Sequence, residues 1–462
     1  MFIGRKKELE HLNNLYKSNK FEFAVIYGRR RIGKTTLINE FVKDKNNIYF
    51  TGIEGNEKEN LENLSKSIYE NINKSHINSI FRNFEDALTA IFEESKNKRI
   101  VLIIDEYPYL ASSYKAISSI LQLLIDKYKE SSKLFLILCG SSLSFMEEQV
   151  LGYKSPLYGR RTAQYKISKF DFFEFCEYYK NFNIYDLVTI YGITGGIPLY
   201  MSLIDDKVSV EENIKNNFFS SNAYLFEEPG NLIKQECREP MQYNSIIRAI
   251  ATGYSKLSEI SSKVGIDTSL CTSYINKLTS IGIVKKEMPF ESKNIKKGIY
   301  KLEDSMFAFW YRFIPQNIAL INMGASDKVY NNIKEQIPSY VGYIFEEICK
   351  QYLWKINMKD NCLISFNNIG SWWGNNPILK KEEEIDLIAT DNNDSAIFVE
   401  CKWKNEKVDI EVLDTLIEKS KIFNYKNNYF YIFSKSGFKE SLENRIRGLS
   451  NVKLIEYKYM TK

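Results

Sequence analysis

The 462-residue sequence contains two histidines, His11 and His76, and seven cysteines without a C-x-x-C pair. So little histidine excludes a Ser-His-Asp triad and any metal site built from several imidazoles. An odd number of scattered cysteines argues against a disulfide framework and a zinc ribbon, and it fits a reducing cytosol. A metal site in this chain would therefore use carboxylates, the ligands of Mg²⁺ and Mn²⁺.

Long apolar runs are also missing. The longest, such as IVLII and LFLIL, have the length of a strand and fall short of the roughly 18 residues that a membrane-spanning helix needs. The first residues, MFIGRKKELEHL, are charged and lack the apolar core of a signal peptide. We therefore expect a cytoplasmic protein without a membrane partner, and the chain length predicts about three domains.

The segment FEFAVIYGRRRIGKTTLINEFV predicts a strand, a loop and a helix, and its loop matches the phosphate-binding pattern G-x-x-x-x-G-K-[ST]. Glycines let the backbone N–H groups of such a loop face phosphate oxygens. We expect Lys34 to reach the β and γ phosphates of ATP and the Thr35 hydroxyl to bind Mg²⁺. The predicted nucleotide-binding loop comprises Gly28, Arg29, Arg30, Arg31, Ile32, Gly33, Lys34, Thr35 and Thr36.

The acidic half of the ATPase site is predicted in RIVLIIDEYPYL, where a buried parallel strand ends in two carboxylates. Asp105 would complete the Mg²⁺ shell and Glu106 would polarise the attacking water, unless Glu106 is simply a helix-start carboxylate. Ser141, after the next strand, would sense the γ phosphate or cap the following helix. Arg160 and Arg161 could include an arginine finger or a phosphate sensor, with Arg160 the first choice, and ordinary surface arginines are the alternative. Action in trans would require a homo-oligomer.

These motifs together resemble the archaeal-type P-loop ATPases, which are related to the signal-transduction ATPases with numerous domains. The resemblance rests on FIGRKKELEHL, GRRRIGKTT, LIIDEYPYL, CGSS, SPLYGRRT and GGIPLY, in the first half of the chain. It implies that Arg5 lies near the adenine and that the turn containing Pro198 closes over the base from a helical lid. An ordinary helix breaker is the alternative for that turn.

The middle of the chain predicts a winged helix-turn-helix, with two short helices around VGIDTS followed by the strands IVKKEMPF and GIYKLED. Residues 241–301 contain ten Lys and Arg against four Asp and Glu, although the whole chain carries only +5. This balance predicts contact with DNA, and a structural spacer is the alternative. We expect Leu270, Ile275 and Leu278 to form the buried stripe of the second helix. The predicted outward residues are Thr272, Ser273, Asn276 and Lys277 on that helix, and Lys293, Lys296 and Lys297 on the wing.

Three predicted elements near the end of the chain offer carboxylates. The helix YVGYIFEEICKQYLWKI offers Glu346, or Glu347, because helical geometry alone does not choose between them. The strand KEEEIDLIATDN offers Asp386, and the strand AIFVECKW offers Glu400 and Lys402 on one face. Converging carboxylates predict a Mg²⁺ or Mn²⁺ site, beside which a lysine can orient water or stabilise the pentavalent phosphate.

The same order of a helical Glu, a strand Asp and an E-x-K strand resembles the PD-(D/E)xK nucleases and the nuclease-like domain that often follows this kind of ATPase. The resemblance implies a site in which Glu346, Asp386 and Glu400 bind the metal and Lys402 is catalytic. Strict alternation would place Asp386 on one strand face with Ile388.

The predicted fold class is α/β: a P-loop NTPase parallel sheet with a helical lid, a winged helix-turn-helix and a restriction-endonuclease-like α/β domain. The predicted boundaries are 1–164 for the ATPase core, 165–237 for the lid, 238–325 for the winged helix with an aromatic helical bridge, and 326–462 for the nuclease-like domain. We predict an ATPase that acts on DNA and cuts it with Mg²⁺ or Mn²⁺. The alternative is an ATP-dependent switch whose winged helix binds DNA or protein and whose last domain does not cleave.

Overall fold

The computed structural model describes residues 2–72, 80–292, 294, 297–376, 380–391 and 393–461. The chain forms two compact units. The first contains Met1–Phe170 with Ile197–Leu199, and the second contains Asp171–Gly196 and Tyr200–Lys462. The short segment Ile197–Leu199 thus belongs to the first unit, although the residues on both sides of it belong to the second.

A five-stranded parallel sheet forms the centre of the first unit. Its strands are β1 (Glu22–Tyr27), β2 (Asn47–Thr51), β3 (Ile100–Asp105), β4 (Leu134–Gly140) and β5 (Ala163–Lys166). They lie in the order β2-β3-β4-β1-β5, and every pair is parallel. Strands β1, β3 and β4 are buried throughout, as expected of continuous apolar runs in a sheet that is covered on both faces. The phosphate loop after β1 and the acids after β3 therefore lie at the same edge of the sheet, separated by β4.

Helices cover this sheet. They are α1 (Lys6–Lys17), α2 (Lys34–Val42), α3 (Glu57–Ile72), α4 (Phe84–Glu94), α5 (Tyr107–Ser113), α6 (Ile117–Tyr128) and α7 (Leu143–Phe145), with a π-helical turn at Met146–Val150. Leu88 of α4 and Leu121 of α6 share one buried apolar cluster with Leu102 of β3. The sheet that carries the candidate nucleotide site therefore packs on the helices through a layer of fully buried apolar side chains.

The second unit begins with helices. They are α8 (Phe172–Cys176), α9 (Ile184–Thr194), α10 (Pro198–Ser202, whose first two residues belong to the first unit), α11 (Val210–Phe218) and α12 (Tyr224–Glu236). A helix–hairpin module follows at 240–302, with α13 (Pro240–Ala251), α14 (Leu257–Val264), α15 (Thr268–Ser280), β6 (Val284–Glu287) and β7 (Ile299–Leu302). The two strands pair antiparallel. The winged-helix assignment of this module stays a prediction.

One prediction for α15 was wrong. Leu270 is 46% exposed, and the buried stripe consists of Cys271, Tyr274, Ile275 and Leu278. Leu270 lies about 100° around the helix from Cys271, outside the stripe that packs on the module. The predicted outward residues Thr272, Ser273, Asn276 and Lys277 are partly or fully exposed. Of the predicted wing lysines, Lys297 is exposed, while Lys293 and Lys296 lie outside the described residues.

The C-terminal part of the second unit contains a second five-stranded sheet. Its helices are α16 (Ser305–Phe313), α17 (Ile318–Asn322), α18 (Ser326–Ile333), α19 (Ile337–Asn357), α20 (Ile410–Ser420) and α21 (Glu440–Arg445), with 3-10 turns at Lys334–Gln336 and Tyr457–Tyr459. Its strands are β8 (Asn368–Asn376), β9 (Lys381–Thr390), β10 (Ser395–Lys402), β11 (Asn427–Ser434) and β12 (Val452–Glu456). The strand order is β12-β11-β10-β9-β8, antiparallel from β8 to β10 and parallel from β10 to β12. The predicted α/β class is confirmed.

The helices α19 and α20 cover opposite faces of this sheet. On the α20 side, Leu413 and Leu416 share a buried cluster with Phe398 of β10. On the α19 side, the Phe345 ring lies 4.8 Å from the Trp403 ring, centroid to centroid. Because successive strand residues alternate between faces, this packing fixes which residues of β10 each helix meets.

Strand β9 contains an extra residue beside the candidate acid. From Gly370 to Trp372, β8 advances by two residues, whereas its partners on β9 run from Ile388 to Ile385, a step of three. The extra residue makes a β-bulge around Asp386. Ile385 and Ile388 consequently lie in the same buried cluster, which strict alternation would not allow. The predicted alternation through Asp386 was therefore wrong, because the bulge changes the direction of the side chains that follow it.

Tyr340 of α19 joins three parts of the second unit. Its buried hydroxyl lies 2.8 Å from the carbonyl oxygen of Gly192 in α9 and 2.8 Å from that of Ser305 in α16. Burial raises the pKa of Tyr340, so the hydroxyl keeps its proton and remains a donor. The N-terminal half of α19 is thereby tied to both helices.

Replacing Tyr340 by Phe should lower the free energy of unfolding by about 1–3 kcal/mol, because two buried carbonyl groups lose their donor. Chemical denaturation of the full chain measures this loss. Tyr343→Phe is the matched control, since that side chain is on the same helix and 65% exposed. Equal stability of the two variants would contradict the role given to the Tyr340 hydroxyl.

Candidate functional site

The predicted phosphate loop lies between β1 and α2. Arg31 and Gly33 have φ angles of 70° and 88°, which turn the backbone sharply before α2 begins at Lys34. The Lys34 ammonium group donates to the carbonyl oxygens of Gly28 at 2.8 Å and Arg29 at 3.0 Å. Burial lowers the pKa of Lys34. The lysine thus lies inside its own loop, where an anionic ligand would compete with the carbonyl oxygens for it.

The predicted Mg²⁺ ligands lie side by side. The Thr35 hydroxyl donates to Asp105 Oδ2 at 3.2 Å, and the Glu106 backbone N–H donates to Asp105 Oδ1 at 2.9 Å. A hydroxyl at the start of a helix and a carboxylate at the end of a neighbouring strand are therefore within contact distance. The residues fit a Mg²⁺ ion that accompanies a nucleotide, since both present oxygen donors.

Glu106 and Ser141 also meet. The Ser141 hydroxyl donates to Glu106 Oε2 at 3.0 Å. Glu106 has a positive φ of 48° and precedes α5, and its carboxylate points towards the end of β4. The serine-rich turn also provides the N-cap residue of the helix after β4, Ser142, so the sensing role of Ser141 stays a prediction. The structure thus brings the predicted water-polarising acid and the predicted phosphate sensor together.

Sequence reasoning missed Tyr49. Its hydroxyl on β2 donates to Asp105 Oδ2 at 2.7 Å, the same oxygen that Thr35 contacts. Burial and the charge of Asp105 raise the pKa of Tyr49, which keeps the phenol protonated. The alternation of polar residues along β2 was a signal that could have pointed to Tyr49. That β2 pairs with β3, however, follows only from the strand order of the folded sheet. Tyr49 holds the Asp105 carboxylate in one orientation.

The two residues assigned by resemblance lie at the ends of the first unit. The Arg5 guanidinium donates to the Ser168 carbonyl oxygen and stacks over the Phe170 ring, 4.5 Å from its centroid. Pro198 lies against the phosphate loop, since a Cβ at Gly33 would be 3.5 Å from its ring. Pro198 thus lies beside the phosphate loop, while its closure over the base and the adenine contact of Arg5 stay predictions.

Arg160 has partners away from the acids. Its guanidinium makes two hydrogen bonds to the Asp126 carboxylate of α6, at 2.9 and 2.6 Å, and donates to the Pro156 carbonyl oxygen at 2.9 Å. Asp126 is exposed and Arg160 is partly exposed, so the pair adds little to stability. Its role as an arginine finger stays a prediction. Another loop arginine, Arg30, donates to the Tyr109 hydroxyl at 2.8 Å.

The C-terminal acids Asp386 and Glu400 lie on neighbouring strands. Val399 pairs with Leu387 in an antiparallel ladder, and Glu400 follows Val399 on β10 while Asp386 precedes Leu387 on β9. The Cys401 backbone N–H donates to Asp386 Oδ2 at 2.7 Å, and Glu400 Oε1 pairs with the Lys402 ammonium group. Burial raises the pKa of Asp386, and the charge of Glu400 raises it further.

The structure selects Glu346 over Glu347. Burial raises the pKa of Glu346, and the charges of Asp386, Glu384 and Glu400 add to this effect. Glu347, by contrast, accepts a hydrogen bond from Gln351 at 3.3 Å. Glu346 therefore shares its surroundings with the strand carboxylates, and its role in the site stays a prediction.

The carboxylates are of the chemical type that binds a hard metal ion, but Asp386 and Glu400 already have other partners. Among the residues that the structure describes, no group of three or more His, Cys, Asp or Glu side chains is arranged to hold a metal ion. Asp386 is held by a backbone N–H and Glu400 by Lys402. Buried oxygen donors that repel each other suit a hard divalent cation, and Lys402 would have to release Glu400 for that carboxylate to bind one.

No helix within the described ranges is both long enough and apolar enough to cross a membrane.

Comparison with protein families gives two matches. Residues 2–204 match a family described as an ATPase domain predominantly from Archaea. Residues 310–413 match a family described as "Archaea bacterial proteins of unknown function". The first match contains every predicted residue of the nucleotide site, and the second contains all four predicted residues of the C-terminal site.

Individual proteins extend these matches. An uncharacterized protein of Methanocaldococcus jannaschii is 35% identical over 448 residues, 96% of this chain and 97% of the relative. An uncharacterized ATP-binding protein of the same organism is 49% identical over 45 residues, 10% of this chain and 76% of that protein. Among solved structures, a Walker-type ATPase of Pyrococcus abyssi has a TM-score of 0.50 at 19% identity and covers 67% of this chain and 96% of its own. This last likeness concerns the fold.

Lys34→Ala should abolish ATP binding, because it removes the cation that the loop directs at the phosphates. Titration with a fluorescent ATP analogue measures the binding. Lys43→Ala, in an exposed position just after α2, is the control and should bind as the wild type does. Retained ATP turnover in Lys34→Ala would refute the assignment of this loop.

Tyr49→Phe should raise the Mg²⁺ concentration at half-maximal ATP hydrolysis roughly tenfold, because residues that orient a metal ligand typically contribute that much. The measurement is a Mg²⁺ titration at saturating ATP. Tyr128→Phe is the matched control, since its hydroxyl contacts Glu93 on the far side of the helical layer. A Mg²⁺ dependence unchanged from wild type would show that Tyr49 does not position Asp105.

Proposed function

The chain belongs to the family of archaeal P-loop ATPases, and we propose that it is an ATPase that acts on DNA and cuts phosphodiester bonds with its C-terminal domain. The first unit binds and hydrolyses ATP. The C-terminal domain, which we assign to residues 326–462, holds a carboxylate site for Mg²⁺ or Mn²⁺. The helix–hairpin module is the winged helix that contacts DNA.

In the ATPase unit, we assign the roles from the contacts of each side chain. Lys34 would turn from its loop carbonyls to the phosphates. Thr35 and Asp105 would hold the Mg²⁺ ion, which would supply charge neutralisation of the phosphates. Glu106 accepts a hydrogen bond from the attacking water in place of the one from Ser141. The Ser141 hydroxyl can then turn towards the γ phosphate. The exchange of hydrogen-bond partners couples Glu106 to Ser141.

The observation that carries the nuclease proposal is the neighbourhood of Glu346, Asp386, Glu400 and Lys402. One helix and two strands bring these residues together, although Glu346 and Glu400 are 54 residues apart in the sequence. The surrounding order is helix, three antiparallel strands, crossover helix and a parallel strand, as α19, β8 to β10, α20 and β11 show. That order supports the nuclease-like fold which the sequence predicts.

Each residue of this site has a distinct task. Glu346, Asp386 and Glu400 would hold the divalent ion, which supplies Lewis acidity and lowers the pKa of a bound water. Burial alone would lower the pKa of Lys402, but the charge and hydrogen bond of Glu400 outweigh it and raise the pKa. Lys402 therefore stays protonated at neutral pH and serves as a cation for the phosphate, not as a general base.

The charge of the helix–hairpin module supports contact with DNA. Residues 241–301 carry a net charge of +6, and α15 contains no Asp or Glu. Ser273 and Asn276 lie on its exposed face. Such a face can approach phosphates without repulsion and offer hydrogen bonds to base edges.

An ATP-dependent switch is the second candidate. It is favoured by the pairing of Glu400 with Lys402 and of Asp386 with the Cys401 N–H, which satisfies both acids without an ion. In that case the C-terminal domain is a scaffold and the chain reports its nucleotide state to DNA or to a protein partner. Slow ATP turnover, tight nucleotide retention and absence of DNA cleavage would favour it.

Lys402→Ala should reduce cleavage of plasmid or branched DNA by about 100-fold or more, because one preorganised charge at the reacting phosphate contributes that much. The assay uses the full chain with Mn²⁺ and ATP, and chelation of the ion should stop the reaction. Lys404→Ala, exposed and two residues further on, is the control. If wild type and Lys402→Ala behave alike, the nuclease proposal fails.

A further inference from the structure

The hairpin of the helix–hairpin module is fastened to the C-terminal sheet. The Phe290 backbone N–H donates to the Ser371 carbonyl oxygen of β8 at 2.9 Å. The Phe290 ring lies on the bare backbone of Gly370, where a Cβ would be 3.1 Å from it. The Tyr425 hydroxyl donates to Glu291 at 2.7 Å. These contacts fix the hairpin against edge strand β8 of the domain that carries the carboxylates.

The hairpin thereby brings Lys301 to the carboxylate site. The Lys301 ammonium group lies 5.7 Å from the centroid of the Trp373 ring on β8. Trp373 pairs with Glu384 on β9, two residues before Asp386. The positive charge of Lys301 acts on Glu346, whose pKa it lowers against the effects of burial and the neighbouring acids. A residue of β7 is thus part of the electrostatic surroundings of β9 and α19.

A partly buried carboxylate, Glu287, holds Lys301 in place. Glu287 lies 2.7 Å from the ammonium group of Lys285 and 2.7 Å from that of Lys301. Burial would raise the pKa of Glu287, but the two lysines outweigh it and lower the pKa to about 2. One negative and two positive groups leave a net positive charge beside the acids. The Lys301 side chain is 43% exposed and can meet a ligand.

We propose that Lys301 is a phosphate-binding residue of the C-terminal carboxylate site, supplied to it by the helix–hairpin module. This inference rests on the proposed function of that site and adds a residue from outside the domain. The ligand is the phosphodiester backbone of a nucleic acid strand that passes between Trp373 and the acids. The module then does more than contact DNA, because the site is complete only while the hairpin stays on β8.

The test compares Lys301→Met with Lys286→Met. Lys286 is the matched control, because it lies on the opposite face of the same hairpin, over the Tyr300 ring. Both variants are made in full-length chains that also carry Glu400→Gln, so that DNA is bound but not cut. The logarithm of the DNA association constant is plotted against the logarithm of the salt concentration.

Loss of one phosphate contact should make that slope shallower by about 0.9 for Lys301→Met, and Lys286→Met should keep the parent slope. In chains with Glu400 intact, Lys301→Met should bind Mn²⁺ roughly threefold to tenfold more tightly, since a like charge near the ion is removed. Lys301→Arg keeps the charge and should keep the slope, which shows that the effect is not a loss of folding.

Equal slopes for Lys301→Met and Lys286→Met would overturn this inference, whether or not the chain cuts DNA. A wild-type chain that neither binds Mn²⁺ nor cuts DNA would instead contradict the proposed nuclease function. The two failures are therefore distinguishable.

Discussion

Buried charge needs a partner, and this requirement organises both sites of the protein. Lys34 donates to the carbonyls of its own loop, and Asp105 accepts from hydroxyl groups on α2 and β2. Glu400 pairs with Lys402. Glu346 differs: burial raises its pKa, and the charges of neighbouring carboxylates add to this effect. In the proposed site, a cation would complement Glu346, and Lys301 and a bound metal ion would be two ways to supply it.

The long helix α19 positions Glu346 through its packing within the second unit. Tyr340 ties its first turns to α9 and α16, and Phe345 packs on Trp403. Glu346 follows directly and faces the strand carboxylates. A rotation of the helix by about 100° would exchange Glu346 for Glu347, so the apolar contacts of the helix determine which acid reaches the site. The chemistry of the candidate nuclease site therefore depends on the packing of other residues of the same helix.

Much of the fold follows from patterns within short segments. Continuous apolar runs predicted the buried parallel strands, and the loop and its acids predicted the nucleotide site. The errors arose where partners are distant in sequence. Tyr49, which the sequence did not single out, contacts Asp105 only because β2 lies beside β3. Arg160 pairs with Asp126 of α6, and its role as an arginine finger stays a prediction. The exposed Leu270 was misjudged because an apolar residue at the edge of a helical stripe has no local signal that tells it from a buried one.

The bulge at Asp386 has a consequence for how this domain tolerates change over evolution. Two residue pairs flank the bulge, Gly370 with Ile388 and Trp372 with Ile385. Between these pairs, β9 must keep one residue more than β8. Side chains of the exposed part of β8 can be exchanged without moving the acid. Loss of one residue in β9 would restore a regular ladder and turn Asp386 towards the other face. Within this segment, relatives that keep the site should therefore differ by substitution and conserve length.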